Sequence, residues 1–181
     1  MAARKPTSKA RSAPRSPDAI ALLKQDHRQV EEWFESFEKA RTPDRKQKLA
    51  SQICTALKVH TQIEEEIFYP AFLEQARDED MHHEAVVEHD GAKKLIAQIE
   101  AGSPEDDYFD AKVKVLSEMI KHHVKEEEQR GGMFAEAKSS GMDLQALGEQ
   151  LARRKAELMG EAGEPSPRST RRQNHHQPVA A

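Results

Sequence analysis

Four histidines (His27, His60, His89 and His123) and two glutamates (Glu64 and Glu127) occupy positions where a helical chain should bury leucine. Two of the histidines open an HxxxE pair, His60 with Glu64 and His123 with Glu127. Residues four apart lie on one helix face, so each pair points both side chains the same way at neighbouring levels. The pattern repeats. His89 follows His27 by 62 residues, His123 follows His60 by 63, and Glu127 follows Glu64 by 63. Each half of the repeat offers two imidazoles and one carboxylate. That donor set suits a non-haem iron with open coordination positions. With the halves facing each other across a pseudo-two-fold axis, all six side chains converge and the glutamates can bridge two metals. An isolated ionised carboxylate in an apolar core is strongly unfavourable. Two carboxylates and four imidazoles would threaten a domain whose net stability is about 5–15 kcal/mol, and a pair of cations removes that difficulty. Salt bridging between protonated histidine and glutamate is the competing explanation.

The elements that position these residues follow from periodicity. Ile20, Leu23, His27, Val30, Phe34 and Phe37 form one stripe, with Ser16-Pro17 as its start signal. A second stripe runs through Leu49, Ile53, Leu57, His60, Glu64 and Ile67 to Pro70, beginning near Thr42-Pro43-Asp44. The third is His82, Ala85, His89, Ala92, Ile96 and Ile99, stopping at Gly102. The fourth is Phe109, Val113, Leu116, Ile120, His123 and Glu127, opened by Ser103-Pro104-Glu105-Asp106 in near capping-box form and closed by Gly131-Gly132. A shorter stretch through Leu144, Leu147, Leu151 and Leu158 predicts a fifth helix against the outside or one end. Long helices joined by short loops predict an all-α fold, an antiparallel up-down-up-down four-helix bundle with an additional short C-terminal helix.

Of the 181 residues, 33% are charged and 36% hydrophobic, with a net charge of −4. Residues 1–17 carry Arg4, Lys5, Lys9, Arg11 and Arg15 and no acid; residues 163–181 carry a net +2, leaving −11 on residues 18–162. The expected organisation is a disordered basic tail (1–17), the bundle (18–138), an accessory helix (139–162) and a second disordered tail (163–181). The first tail lacks the apolar run of a secretory signal. No apolar run approaches the ~20 residues of a membrane span. The single cysteine, Cys54, excludes an intrachain disulfide framework and fits a reducing, cytoplasmic setting. His175-His176 is read as incidental, His83 and His122 as rim residues, and His82 as a candidate for the mouth of the cavity.

The order of these residues resembles a known family. His27, then His60-Thr-Gln-Ile-Glu64-Glu65-Glu66-Ile-Phe-Tyr-Pro70, then Glu88-His89, then His122-His123-Val-Lys-Glu-Glu127-Glu128 is similar to the hemerythrin HHE cation-binding domain over roughly residues 18–138. The resemblance implies a four-helix bundle holding two iron ions, an oxo- or hydroxo-bridged di-iron centre. Its implied ligands are His27, His60, Glu64, His89, His123 and Glu127. Two features depart from the oxygen-carrying members. Their additional histidine, four residues before the one matching His89, is here Ala85. Their last carboxylate is an Asp five residues after its histidine, whereas Glu127 is four after His123. The second repeat also lacks the Phe68-Tyr69-Pro70 close, which predicts an early end or bulge and leaves Glu126 and Glu128 as alternative last ligands. The open coordination favours peroxide or nitric oxide chemistry over simple dioxygen transport.

These features imply a di-iron protein engaging dioxygen, hydrogen peroxide or nitric oxide as sensor, carrier or peroxide-decomposing protein. No separate nucleophile or phosphate-cradling loop is present, so any catalysis belongs to the metals. The alternative is a non-catalytic helical binding module with a structural His/Glu network, its basic tails contacting nucleic acid or acidic partners. A ferritin-like site needs Glu-x-x-His on two helices, and only Glu79-x-x-His82 offers one.

Overall fold

The computed structural model describes residues 16–163, so the residues expected to form tails lie almost wholly outside it, and His175-His176 with them. The described residues form helices and no strands. Helix α1 spans Ala19–Lys39, α2 Pro43–Ile63, a π-helical turn Glu64–Phe68, α3 Tyr69–Gln75, α4 Glu79–Glu100, α5 Phe109–Glu128, α6 Met133–Ser139 and α7 Leu144–Gly163. The long helices α1, α2, α4 and α5 close a ring in which each packs on two others.

Capping residues account for the boundaries. The Asp18 carboxylate accepts the Ala21 N–H at 2.8 Å and starts α1. Thr42 caps α2 ahead of Pro43, whose missing N–H costs nothing in the first turn. Asp78 caps α4 by accepting from Met81 at 3.0 Å. The Ser103–Asp106 segment does not cap α5. Its polar groups are consumed within the loop, where Asp106 accepts the Ser103 N–H at 2.7 Å, and α5 begins only at Phe109.

The second stripe also departs from expectation. The helix does not stop at Pro70. A proline inside a helix loses its hydrogen bond and collides with the carbonyl four residues back. Here the π turn widens the backbone just before it, and the Tyr69 N–H reaches the Glu64 carbonyl. The helix then continues to Gln75. The inserted residue rotates Tyr69 onto the same inward face as Glu64, and Tyr69 is 1% exposed.

At the end of α5 the Gly131-Gly132 turn replaces the aromatic-proline close. Gly131 takes φ +80°, which glycine adopts without strain. A Cβ on Gly132 would collide with the Glu126 carbonyl, so only glycine lets the chain fold back this tightly. The fold-back forms α6, which periodicity does not reveal, and delivers Met133 and Phe134 to the core. Helix α7 packs along α1 and α2. Gly148 permits this, since a side chain there would strike the backbone of Pro17 through Ala19.

The apolar core is divided in two. One part gathers Leu23, Ile63, Phe68, Phe72, Met133, Phe134 and Leu151 with the start of α4. The other gathers Phe34, Phe37, Ile53, Leu57, Ile96, Phe109 and Leu116. The buried His/Glu residues lie in the layer between. Full burial of such aliphatic and aromatic side chains contributes roughly 1.5–3 kcal/mol each, so apolar packing on both sides holds the polar layer in place.

Candidate metal centre

All six expected residues are buried and meet in one layer. His27 comes from α1, His60 from α2, Glu64 from the first position of the π turn, His89 from α4, and His123 and Glu127 from α5. None is more than 5% exposed. The Nε2 atoms of His27 and His60 lie 3.1 Å apart, and those of His89 and His123 lie 3.2 Å apart. The imidazoles thus form two facing pairs, one from each half of the repeat.

The glutamates join the pairs. Glu64 Oε2 is 3.2 Å from His60 Nε2 and 3.4 Å from His89 Nε2. Glu127 sends Oε2 toward His27 (3.3 Å) and Oε1 toward His123 (3.6 Å). Two donor groups result. His27, His60, Glu64 and Glu127 form one, with donor atoms within 4.8 Å of one another; Glu64, His89 and His123 form the other. Glu127 thus lies buried within the first group, while Glu126 stands half-exposed on the rim near His122.

Behind each imidazole stands a second carboxylate. His27 Nδ1–H donates to Glu128 (2.8 Å), His89 Nδ1–H to Glu65 (2.9 Å) and His123 Nδ1–H to Glu88 (2.7 Å). His60 Nδ1 faces Asp26 at 3.6 Å. Three of these carboxylates are in turn held by a cation, Glu128 by Lys24 and Arg28, Glu65 by Lys93 and Asp26 by Lys155 of α7, while Glu88 lies 3.2 Å from the His122 ring. A proton held on Nδ1 leaves the Nε2 lone pair directed inward. These four acids are not on the apolar stripes. Their one sequence signal is adjacency, in Asp26-His27, Glu64-Glu65, Glu88-His89 and Glu127-Glu128.

The chemistry of this set fits cations. Both oxygens of Glu64 and Oε2 of Glu127 are buried without a hydrogen-bond partner, a costly state for a carboxylate in a dry layer. Inward lone pairs about 3 Å apart repel unless a proton or a cation lies between them. In the metal-free chain protons fill that role. Burial opposes the charge on His27, but Glu127 and Glu128 outweigh it and hold its pKa at about 9. Burial likewise opposes His123, and Glu127 and Glu88 raise it to about 9. Burial favours protonation of Glu64, and His60 and His89 overcome this to push its pKa down. Hydrogen bonding from His27, helped by Lys24, lowers Glu128 to about 2.

Tyr69 is a further participant that the stripes did not single out. Its hydroxyl is 3.2 Å from His89 Nε2 and donates toward Glu127 Oε1 at 3.5 Å. Burial and the surrounding carboxylates raise its pKa well above the ordinary range, so the phenol keeps its proton. His82 does not line the site; its ring stands edge-on to Tyr69, centroids 5.6 Å apart. Cys54 is buried in the far apolar part, away from the donor layer. Phe134 of α6 stacks on the His27 ring at 5.8 Å. Beside His123 and Glu127 a cavity of about 320 Å³ opens between α4, α5 and the Gly131-Gly132 turn, with Ala85 in its wall.

The outer carboxylates make a direct prediction. Glu88→Gln keeps all six inner donors but removes the charge that orients His123. Metal affinity should fall about 10–100-fold, read by competition with a chromophoric chelator.

A bundle whose core layer carries this donor set belongs among helical cation-binding proteins. The comparison with known sequences narrows the class: the family described as the hemerythrin HHE cation binding domain matches residues 18–131. The chain belongs to that family. The solved structure of an HHE cation-binding domain-containing protein from Mycobacterium kansasii superposes with a TM-score of 0.69 at 20% identity, covering 80% of this chain and 89% of that one. At that identity the likeness establishes the fold. A protein of Nostoc sp. named DNA nickase is 30% identical over 110 residues, which is 59% of this chain and 30% of the relative. The chain thus corresponds to less than a third of that relative's length.

Proposed function

We propose that this protein is a non-haem di-iron protein engaging a small oxidant or gas, either dioxygen, hydrogen peroxide or nitric oxide, as sensor, carrier or peroxide-decomposing protein. The observation that carries this reading is the set of inward Nε2 atoms and partnerless carboxylate oxygens in one dry layer. His27 and His60 would hold one iron and His89 and His123 the other, with Glu64 and Glu127 completing the donor set. Bound iron supplies Lewis-acid and redox chemistry. The chain's own residues do the rest. Asp26, Glu65, Glu88 and Glu128 fix the imidazole rings. Ile120 and Val124 cover the layer from one apolar part and Phe134, stacked on His27, from the other. Ala85, four residues before His89 on the same face, leaves room where a further imidazole would stand. The Tyr69 hydroxyl keeps a proton that it can donate to a small ligand in that space. The buried thiol of Cys54 suits a cytoplasmic setting.

Elemental analysis of the purified protein with a visible spectrum tests the proposal. About two irons per chain are expected. A protein that purifies without metal, takes up none and is equally stable in chelator would overturn it. Oxygen evolution from added peroxide then marks a peroxide-decomposing protein, and reversible binding without turnover a carrier or sensor.

The relative named DNA nickase favours a second reading. On it, the bundle is a structural module and the basic residues before 18 contact nucleic acid. Deleting residues 1–17 should then abolish nucleic-acid affinity while leaving any metal content unchanged. The concentrated polar layer in the core favours the metal reading.

A further inference from the structure

Two openings approach the His/Glu layer, and their charges differ. The groove between α1 and α5, about 420 Å³, reaches His27 past an apolar floor and carries Arg28, Lys121 and Lys125 together with Glu31 and Glu128. The 320 Å³ cavity on the other side of α5 has no lysine or arginine in its lining. Its walls carry Asp80, Glu84, Glu88 and Glu126, and it ends at His123 and Glu127. Glu127 is only 2% exposed, and its Oε2 has no hydrogen-bond partner. Carboxylates therefore line this cavity from its mouth to the buried Glu127 beside His123.

We propose that this acid-walled cavity is the route by which divalent cations reach the centre, and that Asp80 and Glu84 steer them. The inference rests on the di-iron reading. A cleft lined by one sign of charge and walled by low-dielectric protein focuses its field and raises the local concentration of counter-ions. A divalent cation must also shed water to enter a dry layer, and successive carboxylates replace the lost oxygens one at a time. The opposite groove lacks this property, since its lining mixes both signs of charge, with Arg28 paired to Glu31 and Glu128 and with Lys121 and Lys125 beside them. Gly132, whose backbone packs tightly against the Glu126 carbonyl at the end of α5, forms part of the cavity wall.

The test is the rate of cobalt(II) uptake by metal-free, full-length protein, followed by visible absorbance and repeated anaerobically with iron(II). Asp80→Asn/Glu84→Gln removes two charges while keeping both shapes and touches none of the six inner donors. It should load at least about tenfold more slowly at low salt. The difference should shrink near ~0.5 M salt, where screening acts within a few ångströms. The final stoichiometry should stay at two, and Lys121→Gln/Lys125→Gln should not slow loading. A wild-type rate in the double acid variant, or a slowing insensitive to salt, overturns the route while leaving the centre intact. Failure of the wild-type protein to bind either cation overturns the di-iron reading itself.

Discussion

Glu64→Ala should strip the protein of most of its metal and lower its melting temperature in the same variant. Glu64 is completely buried and is the one residue common to both donor groups. Its loss removes a ligand from each site at once and leaves His60 and His89 without the negative charge that faces them. A weakening of about 100-fold in metal affinity corresponds to about 2.7 kcal/mol of lost stabilisation at fixed free metal. Metal binding and folding are coupled, so content and stability should fall together. Glu126→Ala is the matched comparison. It removes an acid one residue from Glu127 that stands on the rim, and should retain the wild-type metal content. Elemental analysis and thermal unfolding of the two variants check the contrast. Wild-type iron content in Glu64→Ala would remove this residue from the centre.

Raising the pH from about 6 to about 9 should weaken the metal-free protein while strengthening metal binding. His27 and His123 have folded pKa values of about 9 against an ordinary value of 6.5. A raised histidine pKa contributes stability that is fully present below 6.5 and disappears as pH rises through about 9. Each imidazole contributes on the order of 3 kcal/mol across that window. Metal binding requires the same Nε2 protons to leave, so near pH 7 loading should release about two protons per chain. The melting temperature of chelator-treated protein should therefore fall across this range, and the gap to metal-loaded protein should widen. Melting curves of both forms near pH 6, 7.5 and 9, with proton release in weakly buffered solution, measure this. A metal-free melting temperature independent of pH would show that the imidazoles are not charged in the resting layer.

The bundle and the six inner residues were legible because each rested on a periodic signal. His27 interrupts an apolar stripe between Leu23 and Val30, and His60 does so between Leu57 and Ile63. An interruption is visible to anyone who counts in threes and fours. The outer carboxylates break no stripe. Glu65 and Glu128 read as members of acidic runs, which usually face solvent, and only packing shows that their neighbours turn them onto His89 and His27. The π turn was hidden for a related reason. A one-residue insertion shifts phase by about 100°, and the consecutive Ile67-Phe68-Tyr69 run does not tell which of the three faces inward. Tyr69 therefore carries no periodic sign of its place beside the donor layer. Helix α6 is only seven residues long, too short for periodicity, and its position depends on a backbone approach at Gly132 that no propensity encodes.

The division of the apolar interior by a charged stratum has a bearing on cooperativity. With ions in place, four helices are cross-linked at one level and the two oily compartments should open as a single unit. Without them, the compartment holding Phe34, Phe109 and Leu116 keeps its own packing, while the one built from Leu23, Phe72, Phe134 and Leu151 loses its tie to it. Amide hydrogen exchange should then separate into two classes on chelation, with α6, α7 and the first turns of α1 exchanging early. The ions would serve as the fastener that makes two small folding units behave as one.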